Sequence, residues 1–147
     1  MNYTITTETL YGYIDVEVSQ VADAAYNEQG ESLYDNIVLT DKDEDTVEGF
    51  IDDAAARLVR ATEDIATPAA GSITFNVPDM PAALETPAAT EIDHYITWFA
   101  VAGILQSRRP SEAPQYAERA AAALENAIAL LRKRTAPSRT TTEPNEP

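Results

Sequence analysis

The longest uncharged run in the chain extends from Tyr95 to Leu105 (YITWFAVAGIL) and contains the only tryptophan, Trp98. A run this apolar predicts the most buried helix of the protein, opening at Glu91 with Thr90 as its cap. Further on, Ala117, Ala120, Ala121, Leu124, Ala127, Ile128 and Leu131 recur at helical spacing and form a stripe of mostly small residues. Between the two lies SRRPSEAP (107–114), where Pro110 is hard to keep inside a helix and Ser111 is placed to cap a new one. Residues Glu91 to Arg134 therefore predict two helices folded back on each other.

Upstream, Asn2 to Thr6 alternates Tyr3 and Ile5 with polar residues and predicts a short strand, after which Thr7 can cap a helix. Two patterns compete from Glu8 to Tyr26. Leu10, Ile14, Val18, Val21 and Ala25 fit a helix, whereas Ile14, Val16 and Val18 alternating with Asp15, Glu17 and Ser19 fit a strand. The helix is preferred because its periodicity spans the whole segment. Gly30 marks the break, and Glu31 to Thr40 reads as an extended connector that tucks Leu33, Tyr34, Ile37 and Leu39 against the core. A long helix then runs from Asp41 to about Ile65, capped by Thr40 or Asp41, with acidic residues in its first turn where the helix dipole favours them. Its apolar face is Val47, Phe50, Ile51, Ala54, Leu58 and Ile65.

PAAGS (68–72) ends that helix, and SITFNV (72–77) is the clearest strand, expected to pair with the N-terminal one because a lone short strand is unstable. From Pro78 to Thr90 a loop with Pro78, Pro81 and Pro87 is expected, whose Met80, Ala82, Ala83 and Leu84 cover a core edge or reach a neighbour. The expected fold is mainly α: a small bundle of about four helices built on the C-terminal hairpin, with a short two-stranded β element. Residues 1–134 make one mainly helical domain. Residues 135–147 form a polar tail rich in proline and threonine, a composition that cannot build a core.

Composition narrows the classes. The 147 residues suit one domain with a modest core, and the absence of cysteine excludes disulfides and thiolate metal sites. The opening residues lack the basic start and apolar run of a signal peptide, and the run from Tyr95 to Leu105 is shorter than the roughly 20 residues a bilayer span needs. The net charge of -15 is unevenly placed: residues 1–106 hold 3 basic and 20 acidic residues, residues 107–147 hold 7 basic and 5 acidic. An acidic body repels phosphate backbones and attracts electropositive protein partners.

Candidate chemistry is sparse. Asp41, Asp43, Asp45 and Asp52 match the spacing of a calcium loop, but Thr46 stands where the sharp turn wants glycine, and the same residues make a good helix N-terminus. His94 is the only histidine, and no nucleophile for it to serve can be named; no glycine-rich phosphate loop or serine-nucleophile motif is present. Neither catalysis nor a cofactor is expected. Arg108, Arg109, Arg132, Lys133, Arg134 and Arg139 form two basic clusters, at the hairpin's turn and at its far end. Arg132 to Arg134 complement a helix C-terminus. Arg108 and Arg109 have no such role. The turn at Arg108 and Arg109 and the exit at Arg132, Lys133, Arg134 and Arg139 are where the hairpin is expected to touch a neighbour, with Met80 and Leu84 as further candidate contacts.

From YDNIVLTDKDE (34–44) through the apolar helix to APQYAERAAAAL (113–124) and its basic end, the chain resembles small virion proteins of Bacteroides-type tailed phages and prophages, which are similar to neck proteins joining portal to tail. The resemblance covers Tyr34 to Arg134. It implies a non-catalytic head-to-tail connector, a homo-oligomeric ring between portal and tail or other neck proteins. It also implies a place in the virion and, during assembly, in the host cytoplasm, without membrane or sequence-specific nucleic-acid binding. A second reading from charge alone is an acidic DNA mimic that inhibits a host DNA-binding protein. The acidic residues cluster at helix starts rather than along one face, which disfavours it. If the polar tail clasps a neighbour, ending the chain at Thr135 lowers the oligomer yield in native mass spectrometry, and an unchanged yield removes the tail from assembly.

Overall fold

A computed structural model describes residues 1–62, 66–69 and 71–133, so Ile65, Arg134, Arg139 and the tail lie outside the described residues. The molecule is a mainly helical bundle with a small antiparallel β element, as expected. Its centre is α4 (Ala82–Arg108), which packs along α5 (Ala113–Leu131) as the antiparallel hairpin read from the sequence. Ile92, Tyr95, Ile96, Ala100, Val101, Ile104 and Leu105 of α4 are all buried. From α5, Ala120, Ala123, Ala127 and Leu131 face them, and small side chains let the two backbones approach closely.

The helix boundaries differ from the expected ones for local reasons. α4 opens at Ala82, with Pro81 before it, and runs straight through the segment read as a proline loop. Pro87 lies within its second turn, where it removes one hydrogen bond to Ala83, while helix-forming alanines and the burial of Ala88 and Ile92 favour continuation. Thr90 is thus no cap; its hydroxyl donates to the Thr86 carbonyl at 2.9 Å. Nor does Ser111 cap α5. Glu112 occupies that position without a side-chain bond, and Pro114, with its preset φ, sits in the first turn.

Residues 7–23 are helical (α1, Thr7–Asp23), with Leu10, Ile14, Val18 and Ala22 buried four residues apart. Thr6 rather than Thr7 is the cap, its Oγ1 accepting from the Thr9 N–H at 3.2 Å. The connector expected to be extended contains a helical turn, α2 (Tyr34–Ile37), started by the Ser32 hydroxyl accepting from the Tyr34 N–H at 3.2 Å. It buries Ile37 as expected but leaves Tyr34 exposed. A 3-10 turn (Asp41–Asp43) leads into α3 (Glu44–Thr62), and Thr40 and Asp43 form a reciprocal capping box there. Val47, Ile51, Ala54 and Leu58 are buried, with Phe50 at the margin.

Strands β1 (Asn2–Thr6) and β3 (Ser72–Asn76) pair antiparallel as expected, with Ile5 opposite Ile73 and Tyr3 opposite Phe75. A third strand, β2 (Ala66–Ala69), adds to the other side of β3, so the order is β1-β3-β2. Pro68, read from the sequence as part of a helix end, lies in this edge strand, where a missing N–H is tolerated. Gly71, with φ of 74°, supplies the left-handed backbone before β3. Ile5, Ile73, Phe75 and Val77 join the helices in one core. Met80 is buried and Leu84 packs against the same cluster, so both cover a core edge, one of the two roles expected for them.

α3 runs antiparallel to α4: moving back along α4, Arg108 meets Asp43, Gly103 meets the Phe50 ring, and Phe99 lies under the Arg57 guanidinium at 5.1 Å. A Cβ on Gly103 would fall inside contact distance of that ring, whereas one on Gly12 of α1 meets nothing. Replacing a mid-helix glycine by alanine is worth roughly 1 kcal/mol, and overpacking costs about 1–3 kcal/mol. Gly12→Ala should therefore stabilise the protein, and Gly103→Ala should come out at least about 1 kcal/mol worse than it in urea unfolding.

Candidate functional site

The two arginines at the hairpin turn have different fates. Arg108 ends α4 and turns inward: its Nη1 donates to the carbonyls of Ile37 and Val38 at 3.1 and 3.0 Å, and its Nη2 to Asp43 Oδ1 at 2.6 Å. It closes the α2–α3 connection onto the end of α4. The contact expected with another subunit is satisfied within the chain. Arg109, half-buried, lies in a small cleft of about 200 Å³ with Val21, Glu112 and Tyr116. At the far end of α5, Arg132 and Lys133 are exposed.

The acidic loop is committed to the same clamp. Asp43 Oδ1 takes the guanidinium, and Oδ2 accepts from the Thr40 N–H at 2.8 Å and its hydroxyl at 3.3 Å. The bond from Arg108, with the Thr40 N–H behind it, holds the Asp43 carboxyl below the usual carboxylate range. Asp41, Asp45 and Asp52 stay exposed, and among the described residues no group of three acidic or histidine side chains is placed to hold one metal ion. Glu8 from α1 joins Asp41, Glu44 and Glu48 around an open cleft at the start of α3.

These ends are set apart by the bundle. Arg108 pins the start of α3 to the turn end of the hairpin, and α5 carries its basic exit away from that turn. With 19 residues in α5, the acidic cleft and the exposed Arg132 and Lys133 are separated by about 28 Å along the hairpin. Among the described residues no helix is long and apolar enough to cross a membrane.

His94 lies elsewhere, in a cleft of about 390 Å³ between α1 and α4. The cleft is lined by Tyr13, Val16 and Glu17 of α1 and by Thr90, Asp93, His94, Thr97 and Trp98 of α4. The imidazole lies 5.7 Å from the Trp98 ring, which is also 5.8 Å from Tyr116 and 5.5 Å from the Arg119 guanidinium. Asp93 Oδ1 accepts from the Tyr3 hydroxyl at 2.5 Å, tying β1 to α4. Burial raises the Asp93 carboxyl against the opposing pull of that bond, and burial with the same bond raises the Tyr3 hydroxyl further. The lone tryptophan beside Asp93 and His94 was the visible signal for this cleft; the α1 wall, more than seventy residues away, was not.

Compared with known protein families, with curated proteins and with solved structures, the chain matches none.

Arg108→Ala removes a charge-assisted bond and leaves two carbonyls without their donor, so it should destabilise the protein by about 2–3 kcal/mol at neutral pH. Because the folded-state carboxyl of Asp43 is depressed, the stabilisation from this pair is present above the unfolded value near 3.8 and is lost as pH falls through the folded one. The gap between wild type and Arg108→Ala in urea midpoints should narrow below about pH 4. A gap that stays constant to pH 2 would place the effect in packing alone.

Proposed function

We propose that the chain is a structural assembly subunit, a head-to-tail connector of a tailed-phage virion that associates with copies of itself in a ring between portal and tail. The observation that carries this reading is the separation of an acidic cleft from an exposed pair of cations in the folded chain. The cleft of Glu8, Asp41, Glu44 and Glu48 lies at the end of the bundle where α3 starts, and Arg132 and Lys133 lie at the exit of α5, at the other end of the hairpin. An acidic cleft and an exposed cation pair at opposite ends of the hairpin favour heterologous contact between copies, which closes into a ring when the rotation closes. The virion setting rests on the resemblance from Tyr34 to Arg134. Arg109, in its half-buried cleft beside Glu112, is a further contact group at the turn.

The test is sedimentation velocity and native mass spectrometry of the full chain across protein and salt concentration. Association should strengthen with concentration and weaken about tenfold or more between 50 and 500 mM salt, because exposed charges are screened over about 10 Å at 0.1 M. Arg132→Glu with Lys133→Glu should weaken it by a similar factor while leaving helical circular dichroism unchanged. A monomer at every concentration, with portal protein added as well, would rule the connector out.

A further inference from the structure

The α1–α4 cleft holds two groups, Thr97 and Glu17, that the packing of the bundle does not use. Thr97 lines it, is only 4% exposed, and its Oγ1 makes no hydrogen bond. A threonine within a helix ordinarily returns its hydroxyl to the carbonyl four residues back, as Thr62 does to Leu58 at 2.6 Å and Thr90 to Thr86 at 2.9 Å. Thr97 does not. A buried hydroxyl left unmatched costs about 1–3 kcal/mol, which a bound polar group recovers.

The surrounding groups specify the charge of that ligand. Glu17 and Asp93 present carboxylates from the two walls, and neither forms an ion pair among the described residues. Trp98, whose ring also carries the Arg119 guanidinium at 5.5 Å, lines the cleft beside them, and Tyr13 and Val16 at the rim are 46% and 56% exposed. Aromatic faces next to unpaired carboxylates attract cations, and the net charge of -15 adds to that attraction. An anion is repelled here, and a hydrocarbon leaves the Thr97 hydroxyl and the Glu17 carboxylate unanswered, whereas Asp93 already accepts from Tyr3. The volume of about 390 Å³ falls within the range of small-molecule sites, roughly 300–1,000 Å³.

We propose that this cleft binds a small organic cation bearing a primary ammonium group. The ammonium lies among Glu17, Asp93 and Thr97, and the apolar body rests on Trp98 and Val16. This site is independent of the connector reading and stands or falls separately from it.

Trp98 is the only tryptophan, so its emission reports on the cleft directly. The full chain is titrated with phenethylamine, phenethyl alcohol, 3-phenylpropionate and the capped tripeptide acetyl-Gly-Lys-Gly-amide. Phenethylamine should give a saturable change with a Kd of about 1 mM or tighter, with the alcohol roughly tenfold weaker and the carboxylate not saturating. Glu17→Gln should weaken phenethylamine about tenfold, and Thr97→Val about three- to tenfold. If Thr97→Val loses helical circular dichroism, the half-buried Glu17 carries the test alone. Equal affinity for amine and alcohol, an unaffected Glu17→Gln, or no saturable change in Trp98 emission overturns the site. Tighter binding of the lysine tripeptide than of phenethylamine overturns its assignment to a free ligand.

Discussion

A helix that is apolar on most of its surface must be covered on every side, and α4 is that helix. Ile92, Tyr95, Ile96, Ala100, Val101, Ile104 and Leu105 are buried along it, and α1, α3 and α5 all pack against it. Burying a large aliphatic side chain is worth about 1.5–3 kcal/mol, so leaving any one side of α4 open would forfeit several such contributions. The order of the other elements follows from this demand. α5 brings alanines that permit close approach, α3 brings Phe50 onto Gly103, and α1 brings Leu10, Ile14 and Val18 to the core. The sheet closes the remaining edge with Ile5, Ile73 and Phe75.

Electrostatics then works on the surface this packing leaves. A chain with 25 acidic and 10 basic residues has few cations to place, and the fold commits one of them, Arg108, to its own connection. Arg57 and Arg119 lie over aromatic rings on the α3–α4 and α4–α5 flanks. Arg132 and Lys133 are exposed at the end of α5, across the length of the hairpin from the acidic start of α3. The distance between that acidic start and those two cations is a property of the assembled bundle. Composition alone shows only that the charge is uneven along the chain.

The α1–α4 cleft has a different origin. α1 and α4 leave a concavity between them, with Tyr13, Val16 and Glu17 on one wall and Asp93, His94, Thr97 and Trp98 on the other. That concavity gathers both carboxylates and aromatic rings. Thr97 shows that it is not packed to completion, since its helical neighbour Thr90 satisfies its own hydroxyl and Thr97 does not.

Periodicity by itself determined the helical hairpin, the helices after Thr6 and Thr40, the strand at residues 72–77 and its partner, because each is a local pattern whose burial follows from spacing. It also placed Leu10, Ile14, Val47, Ile51 and Ile96 in the core. Boundaries escaped it where two local preferences conflict: Pro87 signals a break, but the burial of Ala88 and Ile92 keeps the helix intact around it, and Pro68 signals a helix end in what is an edge strand. Tyr34 turned outward because a helical turn, begun by Ser32, replaced the extended connector. Partnership was decided only in three dimensions. Arg108 and Asp43 are 65 residues apart, and nothing local distinguishes a paired arginine from a free one. Sequence spacing reads contacts within an element; which elements meet, and therefore which charges are satisfied and which clefts remain, depends on how α4 is covered.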